Sequence, residues 1–98
     1  MLHVGPLAVD REKRAVFRDG ELVRLTPHEF DLLRVLAENE GKLMTHAAIL
    51  RAVWGPAYGR ESNYLHVYVS QLRRKIEPPR AILTEPGAGY RLVAPPES

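Results

Sequence analysis

The spacing of apolar residues changes character at Thr26 and again after Pro78-Pro79, and these two breaks divide the chain into sheet, helices and hairpin. Over residues 2–25, short apolar runs alternate with turn residues. Leu7-Ala8-Val9 follows Gly5-Pro6, Ala15-Val16-Phe17 runs into Arg18-Asp19-Gly20-Glu21, and Leu22-Val23-Arg24-Leu25 follows. An Asp-Gly pair between apolar runs favours a type I′ hairpin, because both central residues must take positive φ. The pattern predicts a small antiparallel sheet of three or four strands over residues 2–25. From Thr26 the period becomes helical. Thr26-Pro27-His28-Glu29 supplies a capping hydroxyl, a proline at the first helical position and a carboxylate three residues past the cap, with Leu25 and Phe30 placed as a hydrophobic staple. A first helix is expected over residues 27–40, with Phe30, Leu33, Leu36 and Ala37 on one face and Gly41 as its C-terminal stop.

Lys42-Leu43-Met44 suffices only for a brief strand or connector. Thr45 can cap a second helix over residues 46–54, where Ile49, Leu50 and Val53 keep helical spacing until Gly55-Pro56 ends it. Residues 55–59 read as a loop. A third helix is expected over residues 60–77, closed by Pro78-Pro79. Ile82-Leu83-Thr84 and Tyr90-Arg91-Leu92-Val93, on either side of Pro86-Gly87-Ala88-Gly89, predict a hairpin over residues 82–93, beyond which the chain should fray. The order of sheet, helix, short strand, two helices and hairpin describes an α+β single domain, a winged helix-turn-helix. In that arrangement the third helix enters a DNA major groove with the hairpin beside it.

Turned at roughly 100° per residue, the third helix separates into two faces. Leu65, Val69, Leu72 and Ile76 make the buried seam, with Tyr68 at its edge. The opposite face carries Arg60, Asn63, Val67, Ser70, Gln71 and Arg74, with Tyr64 to one side and His66, Arg73 and Lys75 on the flanks. Base edges are read by such residues: Asn and Gln bond adenine, Arg forks onto guanine, and an apolar group meets the thymine methyl. A plain solvated face explains the polar members equally well. Val67 is the exception, since a β-branched apolar residue in a polar stripe has no solvation reason to be there; it argues for an interface more strongly than for DNA.

Other candidates have two readings each. Tyr64 and Tyr68 either pack at the core edge or place hydroxyls on phosphates. Trp54 is either a core aromatic or a phosphate donor through its indole N–H. Thr45 is either an ordinary cap or part of a helix N-terminus offering N–H groups to phosphate. Arg91 either pairs with Glu85 across the hairpin or contacts the nucleic-acid backbone.

Composition narrows the function classes. The 98 residues make one domain, 45% apolar and 27% charged, an ordinary globular mix. With no cysteine, disulfides, thiolate metal sites and cysteine nucleophiles are excluded, and His3, His28, His46 and His66 show no ligand spacing. No apolar run approaches a membrane span and no signal peptide is evident, so a cytoplasmic location is expected. Residues 46–98 carry seven Lys/Arg against four acids, while residues 1–45 carry seven against eight, so the +2 net charge is concentrated in the second half. That directional charge suits nucleic acid. No phosphate-cradling G-x-x-x-x-G-K-[ST], G-x-S-x-G or H-E-x-x-H occurs, so neither an enzyme nor a cofactor is called for. The alternative to DNA binding is a winged-helix module for protein–protein interaction, with Val67 and the tyrosines as the docking surface.

Leu25-Thr26-Pro27-His28-Glu29-Phe30-Asp31-Leu32-Leu33, Val53-Trp54-Gly55, Leu72-Arg73-Arg74-Lys75-Ile76 and Gly87-Ala88-Gly89-Tyr90-Arg91 resemble the OmpR/PhoB family, the C-terminal effector domains of two-component response regulators. The resemblance spans residues 2–93. Trp54-Gly55-Pro56, Tyr64-Leu65, Tyr68 and Thr84-Glu85 look most like the Kdp-type potassium-response regulators. The resemblance implies a transcription factor that binds direct-repeat promoter sites as a head-to-tail dimer. It also implies a contact with RNA polymerase through loop 55–60, and a receiver domain and sensor kinase as partners. It places Asn63, Tyr64, Val67, Tyr68, Gln71, Arg73 and Arg74 on the recognition helix, Trp54 and the start of the second helix on phosphates, and Thr84, Tyr90 or Arg91 of the wing near the backbone. Ser70, Gln71 and Pro86 stand where the family often has arginines, and Glu85 repels phosphate. No aspartate here has a receiver-like setting, which leaves an effector domain separated from its receiver, the favoured expectation, or a stand-alone protein without phosphorylation input.

Overall fold

Four short strands, β1 (Leu2–Val4), β2 (Leu7–Asp10), β3 (Ala15–Arg18) and β4 (Glu21–Val23), pair antiparallel in sequential order. The computed structural model describes residues 1–57 and 62–95. Arg18 pairs with Glu21 across a two-residue turn in which Asp19 and Gly20 take φ of 51° and 83°, as a type I′ turn demands. Alternation along the strands turns Leu7, Val9 and Val16 into the core.

The first helix, α1 (Pro27–Glu38), starts on an intact capping box. The Thr26 hydroxyl accepts from the Glu29 N–H at 3.3 Å, and Glu29 Oε1 accepts from the Thr26 N–H at 2.9 Å. It ends at Glu38 rather than at residue 40, because Asn39 leaves helical geometry and its Nδ2 donates to the Val35 carbonyl at 2.8 Å. Gly41, with φ of 80°, lies in the turn beyond, where its N–H donates to the Leu92 carbonyl. The second helix, α2 (His46–Trp54), has the expected bounds, with the Thr45 hydroxyl accepting from the Ala48 N–H at 3.1 Å. The third, α3 (Ser62–Ile76), packs on α1 and α2 and buries Leu65, Val69, Leu72 and Ile76 in the shared core. Residues 58–61, which include Arg60 and most of the expected loop's second half, lie outside the described residues.

The C-terminal hairpin is formed by β6 (Ile82–Glu85) and β7 (Gly89–Leu92) and is joined by a third strand. Met44 and Thr45 form a short strand, β5, opposite Tyr90 and Gly89, so the order is β5-β7-β6 and the wing grows out of a three-stranded sheet. Gly89 makes this approach possible: a Cβ on it would lie 1.9 Å from the Met44 carbonyl oxygen. The wing therefore rises from the residue that caps α2, which places it beside α3. Among the described residues no helix is long and apolar enough to cross a membrane.

Candidate nucleic-acid interface

The face of α3 opposite its buried seam is open. Tyr64 is 67% and Val67 52% exposed, large values for apolar side chains, and Ser70, Gln71 and Arg74 are exposed alongside them. These positions, three or four residues apart, form one stripe about 15 Å long from Tyr64 to Arg74 at 1.5 Å per residue. Asn63 belongs to α3, but its side chain, like all of Arg60, lies outside the described residues.

The neighbouring cations are committed within the protein. Lys75 Nζ donates to Glu29 Oε1 at 2.6 Å, joining the last turn of α3 to the first turn of α1. Burial works to raise the Glu29 carboxyl, but the Lys75 ammonium and the Thr26 N–H outweigh it and hold the group below its ordinary value. Arg73 donates to the wing. Arg74 is thus the one α3 cation with no ion pair or hydrogen bond among the described residues, and it faces outwards.

Several expected contact residues have interior partners instead. Tyr90, expected near the nucleic-acid backbone, is 3% exposed and packs in the core. Strand alternation is the reason: Tyr90 and Leu92 turn inward and Arg91 outward. The Tyr90 hydroxyl lies 3.5 Å from His66 Nδ1, and its ring meets the His46 ring edge-on at 5.5 Å. Arg91 takes the cross-strand alternative, pairing with Glu85 at 3.4 Å while donating to the Gly41 carbonyl at 3.1 Å. Thr84 Oγ1 accepts from Arg73 Nη2. Thr45 spends its hydroxyl on the α2 cap.

Trp54 and Tyr68 pack, with ring centres 4.9 Å apart, and His28 completes the cluster at 4.9 Å from Trp54 and 5.7 Å from Tyr68. Three aromatic rings thus wedge the start of α1, the end of α2 and the middle of α3, fixing how α3 is presented. In the sequence His28 belongs to the capping segment and shows no ligand spacing. Its helical offset gave no sign of Trp54, since the two meet only when α2 crosses α1.

Comparison with known proteins agrees with this architecture. The family described as "Transcriptional regulatory protein, C terminal" matches residues 20–92. The transcriptional regulatory protein KdpE of Mycobacterium tuberculosis is 45% identical over 98 residues, covering 96% of this chain and 43% of that protein. The KDP operon transcriptional regulatory protein KdpE of Escherichia coli is 44% identical over 91 residues, covering 89% of this chain and 40% of that one. The chain spans less than half the length of these relatives. The Klebsiella pneumoniae RstA DNA-binding domain, solved in complex with the RstA box, superposes with a TM-score of 0.84 at 32% identity, covering 94% of this chain and 95% of that one. The DNA-binding domain of CpxR from E. coli superposes with a TM-score of 0.85 at 27% identity, covering 95% of both chains.

Proposed function

We propose, from the premise that this chain belongs to the OmpR/PhoB-type family of transcriptional regulatory protein C-terminal domains, that it binds double-stranded DNA sequence-specifically to regulate transcription. It does so as the effector half of a two-component response regulator, with α3 in the major groove and the β6–β7 wing near the minor groove. The observation that carries this reading is the open stripe Tyr64, Val67, Ser70, Gln71 and Arg74 on a helix whose other face is fully buried. Val67 suits a thymine methyl, Gln71 an adenine edge and Arg74 the guanine O6/N7 pair. Asn63 and Arg60 extend the same stripe by sequence. Tyr64 can reach either a base or a phosphate from its end of the helix.

The RstA DNA-binding domain, solved in complex with the RstA box, supports this mode at the level of the whole domain. The finer partners rest on family membership: a receiver domain and sensor kinase, a head-to-tail dimer on direct repeats, and an RNA polymerase contact through loop 55–60. In this reading Trp54, Tyr68, Arg73, Thr84 and Arg91 act by holding the reading surface in place, and Thr45 presents the α2 N-terminus.

Salt dependence tests the proposal. A duplex enriched by the chain from a random-sequence pool should bind with a slope of log K against log salt of about −0.9 per neutralised phosphate. Binding that is absent at low salt, or insensitive to salt, would defeat the reading. A stable protein partner that masks Tyr64 and Val67 with no DNA retained would favour the protein-interaction alternative instead. Arg74→Ala is expected to cost about 1–3 kcal/mol on the enriched duplex and to relax base preference at one position, measured by competition with single-base variants. An equal loss on every sequence would make Arg74 a phosphate contact.

A further inference from the structure

The wing's outer strand has one neighbour in its sheet. β6 pairs with β7 on one side, and its other edge faces the C-terminal half of α3. On that edge Arg73 Nη2 donates to the Ile82 carbonyl at 2.9 Å and to Thr84 Oγ1 at 2.6 Å. The guanidinium also lies 5.9 Å from the centre of the buried Tyr90 ring, so it touches both wing strands. Arg73 therefore bridges the recognition helix and the wing, beside the His66–Tyr90 contact and beside Glu77, whose Oε2 accepts from the Ala81 and Ile82 N–H groups at 2.9 and 3.0 Å.

We propose that Arg73 is a positioning residue, a strap from α3 to β6 anchored on Thr84, that makes helix and wing meet DNA as one rigid body. The inference rests on the DNA-binding reading and specifies how that surface works. Arg73 and Arg74 are adjacent in sequence but point about 100° apart on the helix, so one turns to the wing and the other outwards. Arg suits the strap where Lys does not: its planar fork directs donors at two acceptors while its face lies against an aromatic ring, and an ammonium is a single hydrated point charge. The Ile82 acceptor is a backbone carbonyl on a sheet edge, so Arg73 also satisfies a group that the ladder leaves open. Loss of the strap loosens the outer edge of β6 around Thr84, while Glu77 still holds the start of the strand and the buried seam Leu65, Val69, Leu72 and Ile76 still holds α3.

The test uses Arg73→Met, Arg73→Lys, Thr84→Val and Thr84→Ser, each checked for folding by circular dichroism. In the chain without DNA, Arg73→Met should raise amide hydrogen exchange in β6 about ten-fold, with exchange in the middle of α3 unchanged. This readout stands even if the chain binds no DNA, so failure of the strap and failure of the DNA reading are separable. On the enriched duplex, Arg73→Met and Arg73→Lys should both lose the hydroxyl-radical protection given by the wing and bind about ten-fold more weakly, while keeping wild-type base preference. Thr84→Val should show a smaller loss of the same kind, and Thr84→Ser should restore wild-type behaviour. If Arg73→Met does not fold, the Thr84 pair carries the test. Wild-type exchange and wing protection in Arg73→Met and Thr84→Val would overturn the proposal. So would wild-type binding by Arg73→Lys with a salt slope reduced by about 0.9 in Arg73→Met, the signature of a phosphate contact.

Discussion

Gly89→Ala is expected to destabilise the chain by about 4 kcal/mol and to lower its Tm by roughly 20 °C. The added methyl would sit 1.9 Å from the Met44 carbonyl oxygen and 2.9 Å from the Thr45 Cα, both backbone atoms that no rotamer change can move. Relief requires β5 to separate from β7, at the Thr45–Gly89 and Met44–Tyr90 pairs, and that opens the root of the wing. The estimate combines about 1–3 kcal/mol for overpacking with about 1 kcal/mol for each ladder hydrogen bond weakened. Gly87 is the control. It has φ of 75° and open space around its Cβ position, so Gly87→Ala meets only the left-handed backbone penalty of about 1–2 kcal/mol. Thermal denaturation of both variants decides the matter, and a Gly89→Ala loss no larger than that of Gly87→Ala would refute the close-approach argument.

Glu29→Ala should cost about 3 kcal/mol near neutral pH, for two reasons acting at one carboxylate. Glu29 is 1% exposed, it closes the α1 capping box through the Thr26 N–H, and it pairs with Lys75 at 2.6 Å. Its removal leaves the Thr26 donor and the Lys75 ammonium without that acceptor. Lys75 is partly exposed and regains water, which keeps the loss at the lower end for a broken buried pair. The pH dependence has a definite sign. Burial alone would raise the carboxyl, but Lys75 and Thr26 hold it below its ordinary value of 4.5, so the folded state binds the proton more weakly than the unfolded state. The stabilisation is present in full above that ordinary value and disappears as pH falls through the lower folded-state value. Urea unfolding of the wild type and Glu29→Ala should therefore show a gap that is wide at neutral pH and narrows as pH falls below the ordinary carboxyl value of 4.5. A gap that stays constant with pH would show that the pair contributes nothing through its charge.

These two sites mark the boundary of what the sequence reveals. Local rules were readable because they act over three or four residues. The Thr26–Glu29 box, the positive φ at Asp19 and Gly20, the Thr45 cap and the α3 seam each follow from spacing alone. Contacts that join distant segments were not readable. Lys75 meets Glu29 across forty-six positions, and His28 meets Trp54 only through helix crossing. Gly89 looked like a second turn glycine, although its role is to admit β5. The chemistry of the wing residues suits a surface, but strand alternation turns Tyr90 inward and Arg73 claims Thr84. The exposed stripe on α3 was legible because amphipathic helices report their own faces, and its residues Tyr64, Val67, Gln71 and Arg74 remain the strongest candidates for base contact.

The absence of cysteine makes the central claim directly testable, since any single cysteine introduced is the sole attachment point. Val67→Cys and Leu22→Cys place probes on two exposed positions, the first in the α3 stripe and the second on the N-terminal sheet at 57% exposure. Each is labelled with a short photo-cross-linker and irradiated with the enriched duplex. The account predicts efficient cross-links from position 67 to bases in the major groove and none above background from position 22. Cross-links from position 22 with none from position 67 would contradict it.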